Sequence, residues 1–329
     1  MENDIILKAE GIYKSFGATK AVQDFSIEIR KGEIRGLIGE NGSGKSTFAS
    51  IVAGIQGKDA GSLYVDGHPY DPVDQNEAAE HAIALVVQEI GTIATISAAA
   101  NIFINKEARY SKYGMINFSK MNSDAKAILD EIGGEHIDPG TRAGSMNLED
   151  RKLVEIAKAM IIHPQLLIID ETSNALASHG REILYKNMRA VRDRGGSVLF
   201  ITHDMEELVS ICDSVTVMRD GCYVDTLYGE ALVPKRLKEL MVGREIADNY
   251  YRPDSTPDFR DEVVFRAEGL VSESIRRVSL ELHRGEILGI GGLAECGMHE
   301  LGKLLFGLSK ADSGTVSLAD GTVIHSPTQ

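Results

Sequence analysis

The sequence predicts an α/β protein, and three observations carry that prediction. Strand-like and helix-like runs alternate along most of the chain. The run "LLIID" (166–170) is short and continuously apolar, as in a parallel strand covered on both faces. A glycine-rich turn, "GENGSGKST" (39–47), falls between a strand-like run and a helix-like one.

The elements follow in order. "SIEIR" (26–30) and "EIRGLIG" (33–39) read as strands, and a helix follows Lys45. "IALVVQ" (83–88) is the next strand. In "NLEDRKLVEIAKAMI" (147–161) the apolar residues Leu148, Leu153, Val154, Ala157, Met160 and Ile161 fall close to helical spacing. Asn147, with Asp150 three residues on, makes a capping pair that starts this helix. "LLIID", "SVLFIT" (197–202) and "SVTVMRDG" (214–221) complete the strands. Near residue 244 the texture changes. "REIADNYYRPDSTPDFRDE" holds two prolines, several acids and no apolar period, which reads as a linker over 244–261.

After that linker the chain restarts. "VVFRAEGL" echoes "IILKAEGI", "VSLELHRGEILGI" echoes "FSIEIRKGEIRGL", and "KLLFGLSKADSGTVSLADG" echoes "SIVAGIQGKDAGSLYVDG". From the glycine-rich loop onward the offset stays near 253 residues. Order, phrase and spacing match, so residues 262–329 are expected to repeat the beginning of residues 1–243 and to stop short of a whole second domain.

Bulk properties narrow the function. Of 329 residues, 43% are hydrophobic and 26% charged, an ordinary globular composition, and no apolar run reaches the roughly 18–20 residues of a membrane span. The acidic start "MENDIILKAEG" lacks the layout of a secretory signal. Three cysteines without ligand spacing fit a reduced compartment. A net charge of −14 and the absence of tryptophan argue against a nucleic-acid surface, so no nucleic-acid partner is expected.

The loop carries the chemistry. Gly39, Gly44, Lys45 and Ser46 fit G-x-x-x-x-G-K-[ST], with Glu40, Asn41, Gly42, Ser43 and Thr47 completing the turn. Such a loop aims successive N–H groups at a phosphate, and the following helix adds the positive end of its dipole. Lys45 can reach the β and γ phosphates of ATP or GTP, and Ser46 can ligate Mg²⁺. Asp170 and Glu171 close the strand "LLIID". Beside a phosphate loop, Asp170 can hold Mg²⁺ through water and Glu171 can polarise an attacking water. By themselves they read as solvated acids at a strand end.

With these residues in view, the chain resembles the ATP-binding-cassette ATPases, especially the double-cassette ATPases of bacterial monosaccharide importers. "GENGSGKST", "VEIAKAM", "IIDETSNAL", "THDMEELVSICDSVTVMRDG" and "LMVGRE" occur in that family's order, and the resemblance covers essentially the whole chain. It implies a P-loop NTPase cassette with a mixed sheet and a helical signature subdomain, followed by a partial second cassette. It implies ATP and Mg²⁺ as cofactors. Phe16 matches the aromatic that stacks on adenine, and Gln88 the glutamine that senses Mg²⁺ and couples to membrane subunits. His203 matches the switch histidine of the γ-phosphate. Ser46, Gln88 and Asp170 are then the metal residues, and Glu171, His203 and Gln88 the catalytic ones. Read without the resemblance, Phe16 is an ordinary core residue and Gln88 a solvated strand end. His203 reads either way, as a functional group or as a capping or core histidine.

Two departures stand out. Where the family's signature helix begins Leu-Ser-x-Gly-Gln, this chain has Met146, Asn147, Leu148, Glu149 and Asp150, which places two anions where a phosphate would arrive. In the repeated loop "GGLAECGMHE" (291–300), Met298 and His299 replace the lysine and Ser/Thr, and Glu295 sits inside the turn. Thr172 also stands where the family has proline. In a head-to-tail dimer the degraded loop would face the degraded signature. One competent and one degenerate nucleotide site are therefore expected. The expected partners are integral-membrane permease subunits, docking near Gln88 and "EIGTIATISAAANIF", and through them a solute-binding protein. A second cassette or the remaining C-terminal half is expected for full activity. The expected place is the cytoplasmic face of the cell membrane, as a peripheral subunit. Two other readings stand beside the importer ATPase. One is a soluble cassette protein of ribosomes or DNA. The other is a catalytically impaired nucleotide-binding remnant or regulatory cassette protein.

Overall fold

Two sheets pack against one short helix in the amino-terminal part of the computed structural model, which describes residues 4–244, 259–292 and 296–327. The chain divides into two units, Met1–Ile246 and Ala247–Gln329. Residues 245–258 of the expected linker lie outside the described residues.

The first sheet is antiparallel. Strands are numbered along the chain, and its order is β2 (Thr19–Arg30), β1 (Ile5–Phe16), β4 (Ala60–Val65), β5 (His68–Tyr70). The second has six strands in the order β12 (Cys222–Tyr228), β11 (Ser214–Arg219), β3 (Ile34–Ile38), β10 (Ser197–Ile201), β9 (Leu166–Asp170), β6 (Ile83–Val86). All are parallel except β12. A two-residue hairpin, β7 (Ser111–Lys112) and β8 (Met115–Ile116), stands apart. The mixed sheet and its parallel centre agree with the expected cassette fold.

The continuous apolar reading of β9 has its reason here. Leu166 and Ile168 face the core shared with the antiparallel sheet, while Leu167 and Ile169 face the helices. Helix α1 (Lys45–Val52) lies in the first of these cores, where Phe48 is fully buried and meets Phe25 edge-on at 4.9 Å. Helix α2 (Gln75–Glu80) is short and capped by Asp74. Helices α3 (Ala98–Ile102), α4 (Phe118–Ile132) and α5 (Leu148–Met160) pack on one another to form the helical layer over the other face. Helices α6 (Ser178–Asp193), α7 (Met205–Ile211) and α8 (Pro234–Val242) follow.

Helix α5 corrects part of its expected face. Leu153, Val154, Ala157 and Met160 are buried, but Leu148 is 47% exposed because it sits in the first turn. Two charged residues, Lys152 and Glu155, are buried in its place.

The second unit repeats the first locally. Its sheet runs β14 (Ile275–His283), β13 (Val263–Ser272), β15 (Ser313–Leu318), the same pattern as β2-β1-β4. Helix α9 (Met298–Leu305) begins after Gly297 at φ 90°, as α1 begins after Gly44 at φ 100°. Ala267, Leu270, Ile275, Leu301, Leu304 and Val316 form its small core. One echo takes a different form. The first copy of "GEI" leads into β3, paired on both sides and fully buried at Ile34. In the second copy residues 286–292 form no strand, and Ile287 is 98% exposed.

Candidate functional site

The loop after β3 is shaped by two close backbone approaches. A side chain at Gly39 would place Cβ 2.1 Å from the Met218 carbonyl, and one at Gly44 would place it 2.2 Å from the Ala21 carbonyl. Gly42 and Gly44 have positive φ, 82° and 100°. The chain then enters α1, so its first N–H groups face the same hollow as the loop.

Lys45, the first residue of α1, is buried and folds over this loop. Its Nζ donates to the carbonyls of Gly39 at 2.9 Å and Glu40 at 3.0 Å, and lies 3.4 Å from Ser43 Oγ. Burial holds the ammonium below the usual lysine range, while Glu171 and Asp170 pull it back up. A cavity of about 470 Å³ opens beside it. Its walls include Phe16, Asn41, Gly42, Gly44, Lys45, Ser46, Thr47, Gln88 and Glu171. Gly39, Glu40, Ser43, Asp170 and His203 do not line it. The first three shape the loop and hold Lys45. Phe16 is 46% exposed at the end of β1, where Asp59 takes the Ser15 amide at 2.7 Å and the Lys14 ammonium at 3.0 Å.

Asp170 ends β9 beneath the loop. Burial raises its carboxyl above the usual carboxylate range, and Ser46 and Lys45 act against that rise. Its Oδ1 is buried without a hydrogen-bond partner among the described residues. Glu171 takes φ 45°, a left-handed conformation that is uncommon without glycine. Its amide donates to the Ile201 carbonyl at 2.9 Å, and its Oε2 lies 3.9 Å from His203 Nδ1. Thr172 is fully buried, and its hydroxyl donates to the Asp170 carbonyl at 3.2 Å. The family's proline could not make that bond.

Several site-supporting residues escape a reading of motifs. Glu207 of α7 is buried and accepts from Ser173 Oγ at 2.9 Å, Thr202 Oγ1 at 2.8 Å and the Tyr185 hydroxyl. It thereby ties the turn after Glu171 to the turn before His203. Lys152 and Glu155 of α5 hold the segment after β6. Their sequence signal is the interruption of an apolar helical stripe by charge.

The helix start at Asn147 is as its residues foretell. Asn147 Oδ1 accepts from the Asp150 amide at 2.7 Å. Glu149 and Asp150 occupy the first turn, and His136 Nε2 lies 2.6 Å from Asp150 Oδ1. In the second unit, Met298 and His299 stand at the start of α9, while Glu295 lies outside the described residues.

Residues 22–174 match the family model of ABC transporters. The amino-terminal unit has the fold of an ATP-binding cassette. The cassette is similar in fold to a solved ATP-binding cassette of an ABC transporter in its ADP conformation. That match has a TM-score of 0.61 and 24% identity, over 72% of this chain and 95% of the other. A dimeric cassette in a post-hydrolysis state with ADP and Pi gives 0.60 and 20%, over 68% and 98%.

By sequence the chain is homologous to sugar-import ATP-binding proteins. It is 37% identical to the ribose import ATP-binding protein RbsA of Chromobacterium violaceum, over 94% of this chain and 61% of that protein. It is 34% identical to the galactose/methyl galactoside import ATP-binding protein MglA of Salmonella typhimurium, over 96% and 62%. The arabinose import ATP-binding protein AraG of Chromohalobacter salexigens gives 34%, over 99% and 65%. The chain spans about three fifths of the length of the first of these curated relatives. Among the described residues no helix is long and apolar enough to cross a membrane.

Proposed function

We propose that this chain binds and hydrolyses ATP to energise a membrane importer of a sugar or sugar-like solute. The observation that carries the proposal is convergence. A buried lysine, a phosphate-shaped loop, a helix N-terminus and Glu171 meet at one cavity that Phe16 and Gln88 also line. Homology to ribose, galactose and arabinose import proteins supplies the solute class.

Each residue has a role in this reading. The loop amides and Lys45 grip the β and γ phosphates, and Phe16 stacks on the base. Glu171 orients and deprotonates the attacking water, and His203, beside it, contacts the γ-phosphate. Ser46, Gln88 and Asp170 offer oxygen donors of the kind Mg²⁺ takes, and the orphaned buried Oδ1 of Asp170 fits such an ion. When bound, the ion supplies neutralisation of phosphate charge. Residues 1–243 form the competent cassette, 244–261 a linker, and 262–329 the beginning of a degenerate one. The equal offsets of α1 and α9, and of β4 and β15, support this division. Permease subunits dock near Gln88 on the cytoplasmic face of the membrane and connect to a solute-binding protein. A second cassette half completes the dimer.

Turnover tests the reading. The chain, assayed with Mg·ATP, should release phosphate slowly, because the signature at Asn147 is anionic. Glu171→Gln should abolish that release while ATP still binds. Phosphate release unaffected by Glu171→Gln would refute the assignment.

A further inference from the structure

Beyond the last ladder pair of β6, Val86 with Ile169, the chain crosses Val87–Thr92 before reaching the helical layer. Gln88 stands in the middle of this crossing. Its flanks are held by side chains of α5. Lys152 Nζ, on a fully buried side chain, donates to the carbonyls of Val87 and Glu89, both at 2.7 Å, and to Glu155 Oε2 at 2.8 Å. Glu155 Oε1 accepts from the amides of Gly91 at 2.5 Å and Thr92 at 3.2 Å. Arg151 adds bonds to Thr92 Oγ1 at 2.8 Å and to the Thr92 carbonyl at 3.2 Å. The segment then passes to α3, where Asn101 accepts from the Ile93 amide at 2.7 Å and donates to its carbonyl at 3.1 Å.

The polarity is matched at each point: a cation faces two carbonyls, and a carboxylate faces two amides. Burying a Lys–Glu pair is a costly way to gain stability, because desolvation offsets much of the attraction. Its best-attested use is to fix a register. Here the thing fixed is the backbone on both sides of Gln88.

We propose that Lys152 and Glu155 are positioning residues for Gln88, holding the backbone on both sides of it. The proposal rests on the reading of Gln88 as the residue that senses the metal of bound nucleotide.

The test measures the ATP affinity of the whole chain with Mg²⁺ and with chelator, and takes the ratio. Gln88→Ala should shrink that ratio about fivefold, the scale of one hydrogen bond. The charge-balanced variant Lys152→Met/Glu155→Gln should shrink it equally, leave affinity in chelator unchanged, and add nothing on top of Gln88→Ala. Hydrogen exchange should quicken at the Gly91 and Thr92 amides but not in α1. A wild-type ratio in the double variant, an equal loss with and without Mg²⁺, or full additivity with Gln88→Ala would overturn the proposal. So would an unchanged ratio in Gln88→Ala itself. If the double variant does not fold, Lys152→Gln, which keeps a donor, must still lower the ratio, and an unchanged ratio overturns the proposal. A wild-type chain without Lys45-dependent ATP binding would instead sink the functional reading beneath it.

Discussion

Asp170 is a carboxylate held where its charge is costly: buried, with one oxygen unpartnered and its carboxyl raised above the ordinary 3.8. Between that value and the raised one the folded chain binds more protons than the unfolded chain, so this group's contribution to stability falls as pH rises through the window. Asp170→Asn removes the effect. In chelator, the variant's thermal midpoint should exceed the wild type's by an amount that grows as pH rises above the ordinary carboxylate range. Mg²⁺ should then stabilise the wild type with ATP but not the variant. A variant less stable than wild type at neutral pH would contradict this account of the site. Lys45 is the opposite case, a buried cation satisfied by the loop's own carbonyls. Lys45→Ala should weaken ATP binding by about 1.5–3 kcal/mol, the scale of a charge-assisted bond, measured by calorimetry.

At the scale of elements, the loop and α1 depend on where glycine is required. Gly42 has positive φ and open space around a would-be Cβ, whereas Gly44 has positive φ and a carbonyl 2.2 Å away. Gly42→Ala should cost about 1 kcal/mol and Gly44→Ala more than about 3 kcal/mol in denaturant unfolding. Asn147→Ala should cost about 1 kcal/mol through loss of the cap on α5. Much of this was legible in the residues. The loop, the β9 carboxylates and the capping pair are local patterns whose spacing states their geometry. Leu148 was not: it shares a helical period with buried residues of α5 yet, in the first turn, stays half exposed. The Lys152–Glu155 clamp was not either, because its partners are carbonyls and amides more than 60 residues away. Neither was the Glu207 hub, which joins α6, α7 and two turns. Backbone groups carry no sequence signal, so Lys152 and Glu155 read as surface charge until the fold brings them inside, and Glu207 does because its three hydroxyl partners come from separate segments.

Across the whole molecule the central feature is an asymmetry between two similar beginnings. Both units build a strand-pair sheet, a glycine with positive φ and an eight-residue helix. Only the first places lysine and serine at the start of that helix. In the second, those positions hold Met298 and His299, which offer neither a lysine ammonium nor a hydroxyl. The run around Ile287 is exposed, whereas its counterpart lies at the centre of a six-stranded sheet. Equilibrium dialysis of the chain against labelled ATP with Mg²⁺ is the most direct test of this asymmetry. One molecule bound per chain, lost in Lys45→Ala and unchanged in Met298→Ala, is the predicted result. Two molecules per chain, or one that survives Lys45→Ala, would contradict it.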